Sequence, residues 1–459
     1  MNKAVKRGYV LYLLIIAFLV GVVLLIYGFV INGQTWSSNR ANKHIYSGGE
    51  LAAAGAIYDR NDKVLAQTVE GERIFNSDNE IRKATLHTVG DTAGFIAAGV
   101  HSAYKSTLSG YSFIDGVYRL KQNGVGNDIK LTIDAQACKT AFKALGKYKG
   151  TIGVYNYKTG EIVCMVSAPT YDPKNVPKDI NEDGLDKYEG VYLNRFLSGV
   201  YTPGSIFKVI TSACAIENLP DIHTRTFNCD GKYKTNSGDI ICRDSHGKLK
   251  FEGALNISCN SAFAEIAILL GSERLSQTVS DFGFNNTLKV GGVNTAKGSF
   301  NVDDATDCDL GWAGIGQFTT LVNPCRMMVI MGAIANNGNG VTPYFVESII
   351  TPNGTKKVVG SSTVSIKINS VTAQELKELM RSNVKNYYGD SRFKNLQMCG
   401  KTGTAEVKNG DPHSWFVGFS NRSDMPYAVV AVAENAGSGS GTAMNAANKV
   451  MQQILKTIE

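Results

Sequence analysis

The chain has 459 residues, 43% hydrophobic and 19% charged, which is enough apolar material for two or three globular domains and excludes a disordered protein. Its net charge of +7 is spread without a basic run or an aromatic-interleaved patch, which argues against nucleic acid and suits an anionic surface nearby. Nine cysteines, an odd number with no Cys-x-x-Cys spacing, argue against a zinc ribbon or a dense disulfide scaffold, and Cys164, Cys214 and Cys325 read as core thiols in apolar runs.

The chain opens with Lys3, Lys6 and Arg7, followed by an uncharged apolar run from Tyr9 to Ile31 that is long enough to span a bilayer. The run exceeds a signal-peptide core and no small-x-small cleavage site follows it. It therefore reads as an uncleaved anchor (9–31) with residues 1–8 in the cytoplasm and all that follows outside the membrane. Residues 32–127 read as a polar tether and a small membrane-proximal module, with a strand-turn-strand signal in AGAIYDRNDKVLAQTV that turns at Asn61 and Asp62.

Composition shifts near residue 128, where residues 128–459 begin as the main domain. DIKLTIDAQACKTAFKALGKY predicts a strand, a capping Asp and an amphipathic helix. TIGVYNYKTGEIVCMVSAP predicts a hairpin turning at Lys158 to Gly160. A buried helix is expected from Ser205, a second helical stretch over FEGALNISCNSAFAEIAILLG, and a third over NPCRMMVIMGAIANNG. Three strands follow, in MCGKTGTAEV, SWFVGFS and MPYAVVAVAE, and NAANKVMQQILKTI closes the chain as a helix. Sequential strands joined by short turns, with helices to cover them, predict an α+β fold around an antiparallel sheet flanked by helices.

Within GVYTPGSIFKVIT, Ser205 and Lys208 stand three apart, and residues three apart on a helix share a face. The apolar neighbours Ile206, Phe207, Val209 and Ile210 exclude water, which lowers a lysine's pKa towards its basic form and makes a nucleophile with its own base. The Ser-x-x-Lys spacing is common: it recurs at Ser102, Ser245, Ser382 and Ser391, all in polar stretches that read as solvated surface. Ser-x-Asn occurs at Ser37, Ser77 and Ser258 among other places, and Lys-Thr-Gly at Lys158 and Lys401. Ser258 with Asn260, between two helical apolar stretches, and Lys401 with Thr402 and Gly403, on a strand, follow Ser205 in the order Ser-x-x-Lys, Ser-x-Asn, Lys-Thr-Gly.

With RNDKVLA, LTIDAQ, KTGEIVCMVSAPTYDP, YLNRFLSGVYTPGSIFKV, GIGQFTTLVNP and HSWFVGF, the chain from about Gly55 to its end resembles class B penicillin-binding proteins, the monofunctional peptidoglycan D,D-transpeptidases. The resemblance implies the penicillin-binding and serine β-lactamase-like fold, no cofactor and no metal. It implies that Ser205 attacks the penultimate D-alanine carbonyl of a peptidoglycan stem peptide and passes the acyl group to an amine on a neighbouring stem. Lys208 would take the serine proton, Ser258 relay one to the leaving nitrogen, and Asn260 hold the peptide backbone. Lys401, Thr402 and Thr404 would meet the substrate carboxylate, Gly403 admit it closely, and the amides of Ser205 and Thr404 form an oxyanion hole. Implied partners are stem peptides, β-lactam antibiotics and a polytopic membrane glycosyltransferase, since no such domain precedes the anchor.

Two positions depart from the family pattern: Ala54 stands where an Arg is usual, and Asp62 where a Gly is usual. The competing readings are a D,D-carboxypeptidase or β-lactamase, which would give the acyl group to water, and a non-catalytic β-lactam sensor or scaffold. Cys229 and Cys242 flank a turn rich in Asn, Ser and Gly, and the sequence leaves open a cross-hairpin disulfide or two free thiols.

Overall fold

The computed structural model describes residues 3–37, 39, 46–47, 50–51, 54–110, 126–182, 186–360, 362–408 and 410–458. Part of the expected tether and residues 111–125 lie outside the described residues. Helix α1 (Lys3–Ser37) extends the predicted apolar run at both ends, and its Val5–Gly33 stretch, of mean hydropathy 3.1, is long and apolar enough to cross a membrane.

In chain order the main strands are β1 (Ile57–Tyr58), β2 (Val64–Val69), β3 (Glu72–Phe75), β4 (Asp128–Leu131), β5 (Gly150–Asn156), β6 (Ile162–Ala168), β7 (Phe227–Thr235), β8 (Gly238–Leu249), β9 (Val346–Ile350), β10 (Lys356–Val358), β11 (Met398–Ala405), β12 (His413–Ser420) and β13 (Tyr427–Ala433). The helices used below are α2 (Ala135–Leu145), α3 (Lys208–Asn218), α4 (Asn260–Asp281), α5 (Pro324–Ala335), α6 (Ser370–Ser382) and α7 (Thr442–Leu455). The main sheet is five-stranded and antiparallel throughout, in the order β11-β12-β13-β5-β6. Every residue of β13 is buried, so both faces of the sheet are covered, and α5 and α7 pack on this strand. The arrangement is the α+β fold expected, an antiparallel sheet flanked by helices.

Local signals explain the elements around the site. Asp134 caps α2, its carboxylate accepting from the amides of Gln136 and Ala137. Asn323 caps α5 with Pro324 behind it, and α5 is buried along its whole length, as its all-round apolar sequence requires. The stretch FEGALNISCNSAFAEIAILLG is divided: one short helix ends at Asn256, α4 begins at Asn260, and Gly271 interrupts α4 at φ +80°.

A second, six-stranded sheet has the order β10-β9-β4-β1-β2-β3. Here β4, at the start of the expected main domain, pairs in parallel with β1 of the membrane-proximal stretch and antiparallel with β9. The main hydrophobic core takes in residues from Ala54 to Leu455, and a small separate cluster is formed by Leu86, Ile96, Tyr171, Ile180 and Val191. At the two departures the chain supplies substitutes. Arg73 of β3 donates from Nη1 to the carbonyls of Ala54 (3.2 Å) and Gly55 (2.8 Å). Asp62 takes the left-handed φ of +61° that a glycine would adopt freely, and its carboxylate accepts from Lys130 Nζ at 2.6 Å.

Candidate active site

Ser205 lies in a 3-10 turn, Gly204–Ile206, and α3 begins only at Lys208, so the two side chains stand one turn apart across a change of helix type. Gly204 makes this entry, at φ +55°, and donates its amide to Gly316 O at 2.8 Å. A Cβ there would lie 2.5 Å from Thr404 O, and one on Gly403 would lie 2.8 Å from Pro203 O, so the Ser205 turn and β11 touch backbone to backbone. Trp415, opposite Gly403 on β12, donates from Nε1 to Thr202 O at 3.0 Å and closes the same contact. Ahead of the turn, buried Arg195 donates from Nε to Glu434 Oε1 (2.8 Å), and Tyr201 OH donates to the same oxygen (2.9 Å). Ser205 is half-buried, and its hydroxyl makes no hydrogen bond among the described residues.

Lys208 is fully buried and donates from Nζ to Ser258 O (2.6 Å), Ser258 Oγ (3.2 Å) and Asn260 Oδ1 (2.8 Å). Lys401, also fully buried, reaches the same Ser258 hydroxyl at 2.9 Å and donates to Thr402 O at 3.0 Å. Ser258 holds this position at φ +62°, between the end of one helix and the start of α4. Burial, and then the positive charge of Lys401, push the Lys208 amine well below the usual lysine range. Burial alone pushes Lys401 down to about 7. Two ammonium groups cannot share one buried hydroxyl cheaply, which favours a neutral amine, and a neutral amine one turn from a serine has the chemistry of a base for acyl transfer.

The structure thus brings Lys208, Ser258, Asn260 and Lys401 into one hydrogen-bonded group and sets the Ser205 turn against β11. The Asn260 amide is oriented at both ends, its oxygen on Lys208 and its nitrogen donating to Ile241 O at 3.0 Å. Thr404 is exposed, and its Oγ1 accepts from the Gly439 amide at 3.2 Å. Thr402 meets a residue that the sequence reading missed: buried Tyr388, whose OH stands 3.1 Å from Thr402 Oγ1 and accepts from Thr402 N at 3.2 Å. Tyr388 belongs to a π-helical stretch, Asn383–Gly389, that follows α6. The rival motif copies have structural duties. In Ser77-Asp78-Asn79 the aspartate is a helix N-cap, and Lys158-Thr159-Gly160 is a turn closed by Asn156.

Cys229 and Cys242 are both free thiols, so the cross-hairpin bridge is not formed. They face His246 and Cys259 instead, a convergence invisible in Cys-x-x-Cys spacing because its members come from two strands and a helix cap.

The family profile described as the penicillin binding protein transpeptidase domain matches residues 150–456. The peptidoglycan D,D-transpeptidase PbpA of Mycolicibacterium smegmatis is 28% identical over 348 residues, 68% of this chain and 68% of its own length. The peptidoglycan D,D-transpeptidase MrdA of Haemophilus influenzae is 24% identical over 485 residues, 93% of this chain and 72% of its own. Among solved structures, the D,D-transpeptidase domain of a peptidoglycan glycosyltransferase from Eggerthella lenta superposes with a TM-score of 0.76 at 25% identity, covering 88% of this chain and 99% of that one. Penicillin-binding protein A of M. tuberculosis, as its ceftriaxone acyl-enzyme, superposes at 0.77 and 21% identity over 87% and 98%, a likeness of fold. With the profile spanning most of the chain and its motifs gathered on one network, the chain belongs to the penicillin-binding protein transpeptidase family.

Proposed function

We propose that the chain is a serine acyltransferase that cross-links peptidoglycan stem peptides and is acylated by β-lactams. The observation that carries this reading is the Ser258 hydroxyl held between two buried lysines, one of which stands one turn after Ser205. Ser205 Oγ attacks the penultimate D-alanine carbonyl as its proton passes to neutral Lys208. The tetrahedral intermediate then breaks its C–N bond, and the terminal D-alanine leaves with a proton delivered through Ser258. An acceptor amine attacks the ester, gives a proton back to the same relay and frees Ser205. The amides of Ser205 and Thr404 would form the oxyanion hole, a role supported by the close approach of Gly204 to the Thr404 carbonyl, and Lys401, Thr402 and Thr404 would meet the substrate carboxylate. Asn260 serves first by fixing Lys208, and through its remaining amide proton can hold the stem peptide.

Helix α1 supports a single-pass anchor with residues 1–8 in the cytoplasm, since Lys6 and Arg7 precede the span, and with the catalytic domain outside. The membrane-proximal stretch is read as a pedestal whose strands are built into the sheet shared with residues 128–131 and 346–358. A transpeptidase of this design needs nascent glycan strands, so a polytopic membrane glycosyltransferase is the partner expected at α1, where Gly21 and Gly28 offer close packing points.

The test is turnover of a donor and an acceptor stem peptide, alongside labelling by a fluorescent penicillin. Cross-linked product, with label lost in Ser205→Ala and in Lys208→Arg, is expected. Release of D-alanine without cross-link would mean a carboxypeptidase, and labelling that survives Ser205→Ala would overturn the nucleophile.

A further inference from the structure

Beside the network, and unused by the reaction, Cys229 of β7, Cys242 and His246 of β8 and Cys259 of the α4 N-cap aim three sulfurs and one ring nitrogen at a common point, all within 4.8 Å of one another. We propose that these four residues form a closed Cys3His site for a structural zinc ion, which ties the β7–β8 hairpin to the Ser258–Asn260 turn.

The geometry is that of a coordination shell. Around a tetrahedral zinc, with Zn–S of about 2.3 Å and Zn–N of about 2.0 to 2.1 Å, neighbouring sulfurs lie about 3.8 Å apart and a sulfur and a nitrogen about 3.5 Å apart. Here Cys242 Sγ and Cys259 Sγ are 3.9 Å apart, and His246 Nδ1 lies 3.4 Å from Cys229 Sγ and 3.5 Å from Cys242 Sγ. A disulfide needs its sulfurs at about 2.05 Å and has no use for a central imidazole. Three thiolates and one neutral imidazole select zinc over the hard, oxygen-seeking cations, and four protein ligands leave no open position for catalysis.

The surroundings are suited to thiolates. The Asn260 amide donates to Cys242 Sγ at 3.2 Å, the Ala262 amide to Cys259 Sγ at 3.5 Å, and Ser261 Oγ lies 3.4 Å from Cys229 Sγ. These amides belong to the first turn of α4, whose positive end offsets the net negative charge of a zinc ion with three thiolates. All three cysteines are buried and His246 is half-buried, as a structural site requires.

The consequence reaches the catalytic groups through the chain. Cys259 stands between Ser258 and Asn260, the two residues that hold Lys208, and Ser258 keeps a left-handed φ that L-residues adopt only when their surroundings enforce it. A zinc ion on Cys259 and the hairpin supplies that enforcement, so Ser258 and Asn260 act on a metal-fixed turn.

Full-length protein, purified in detergent without added metal, is expected to hold about one zinc per chain by elemental analysis. Replacement by cobalt(II) should give the intense visible bands and near-ultraviolet sulfur charge transfer of a tetrahedral thiolate site. Cys229, Cys242 and Cys259 should resist a maleimide together until a chelator is added, and His246→Ala should bring zinc well below stoichiometry. Chelation should slow fluorescent-penicillin labelling by about 10²-fold, the order expected for a misplaced catalytic group, and added zinc should restore it. Zinc content and the cobalt spectrum are read without substrate, so they stand or fall separately from the transpeptidase reading. The cobalt spectrum of the unaltered chain decides the matter even if a cysteine variant fails to fold. Sub-stoichiometric metal after zinc addition, weak octahedral cobalt bands, or a Cys229–Cys242 disulfide peptide would each overturn the proposal.

Discussion

Lys208 and Lys401 approach the same oxygen from two elements, Nζ of the first lying 3.2 Å and Nζ of the second 2.9 Å from Ser258 Oγ. The sharing divides the labour by charge. On the proposed function, Lys208 would act neutral, as a base, and Lys401 charged, for the carboxylate of stem peptide or drug.

The pH dependence follows from that division. With Lys208 held well below the ordinary lysine range, base is available near neutrality, while Lys401, at about 7 in the free enzyme, loses its charge as pH rises through that value. The second-order constant for acylation by a penicillin should therefore fall as pH rises above about 7. Lys401→Arg, which stays charged, should remove that falling limb whatever it does to the absolute rate. Stability should run the other way. Between about 7 and the ordinary lysine value of about 10.4 the unfolded chain binds a proton that folded Lys401 does not, so stability rises with pH across this window. Acylation that stays flat to pH 9 would refute the assignment.

Gly204→Ala tests the contact between nucleophile turn and strand. Its Cβ would fall 2.5 Å from the Thr404 carbonyl, at a φ of +55° that alanine resists, so the turn must move off β11. Because a displacement of about 1 Å in a catalytic group costs about 10²-fold, labelling of Ser205 should slow by at least that factor in protein that remains folded by circular dichroism. Labelling at the unaltered rate would show that the contact does not position Ser205.

How far the sequence reached depended on whether a signal was local. Ser205, Lys208, Ser258, Asn260 and Lys401 could be singled out as candidates because each sits in a short motif and the motifs come in order, and the fold brings the last four onto one network. Asp134 was legible as a cap because a cap is decided within a few residues. Tyr388 was not, since it lies in NVKNYYG, a polar stretch without helical period, and only the fold carries it to Thr402. The pairing of β1 with β4 across residue 127 was equally hidden, because a two-residue strand has no pattern to read and its partner is chosen by tertiary packing. The convergence of Cys229, Cys242, His246 and Cys259 was hidden too, because the folding of a hairpin back onto a helix start, not a spacing in the sequence, brings them to a common point.

Glu434 is expected to act on stability. It pairs with Arg195 at 2.8 Å where both side chains are largely buried, and it also accepts from Tyr201. Glu434→Ala strands a buried guanidinium, so thermal or denaturant unfolding should show a loss of about 3 to 5 kcal/mol. Glu434→Gln keeps an acceptor and should lose less. Equal losses in the two variants would mean that packing, not charge, is what Glu434 supplies.

The lifetime of the acyl-enzyme separates a drug target from a β-lactamase. Hydrolysis of a penicilloyl ester needs a second base to activate water, the role a glutamate plays in class A β-lactamases. No Glu-x-x-Leu-Asn stretch lies between Asn260 and Lys401. Among the described residues, no carboxylate is hydrogen-bonded to Lys208, Ser258, Asn260 or Lys401, whose partners are hydroxyl, carbonyl and amide groups. On the proposed function Lys208 is already the acylation base. Without the roughly 10²- to 10⁴-fold help of a general base, the ester should persist for many minutes or longer and turnover of a chromogenic cephalosporin should be slight. Intact-mass spectrometry after a short drug pulse reads this directly: a stoichiometric adduct that decays slowly is expected. An adduct that vanishes within seconds while hydrolysed drug accumulates would make the chain a β-lactamase.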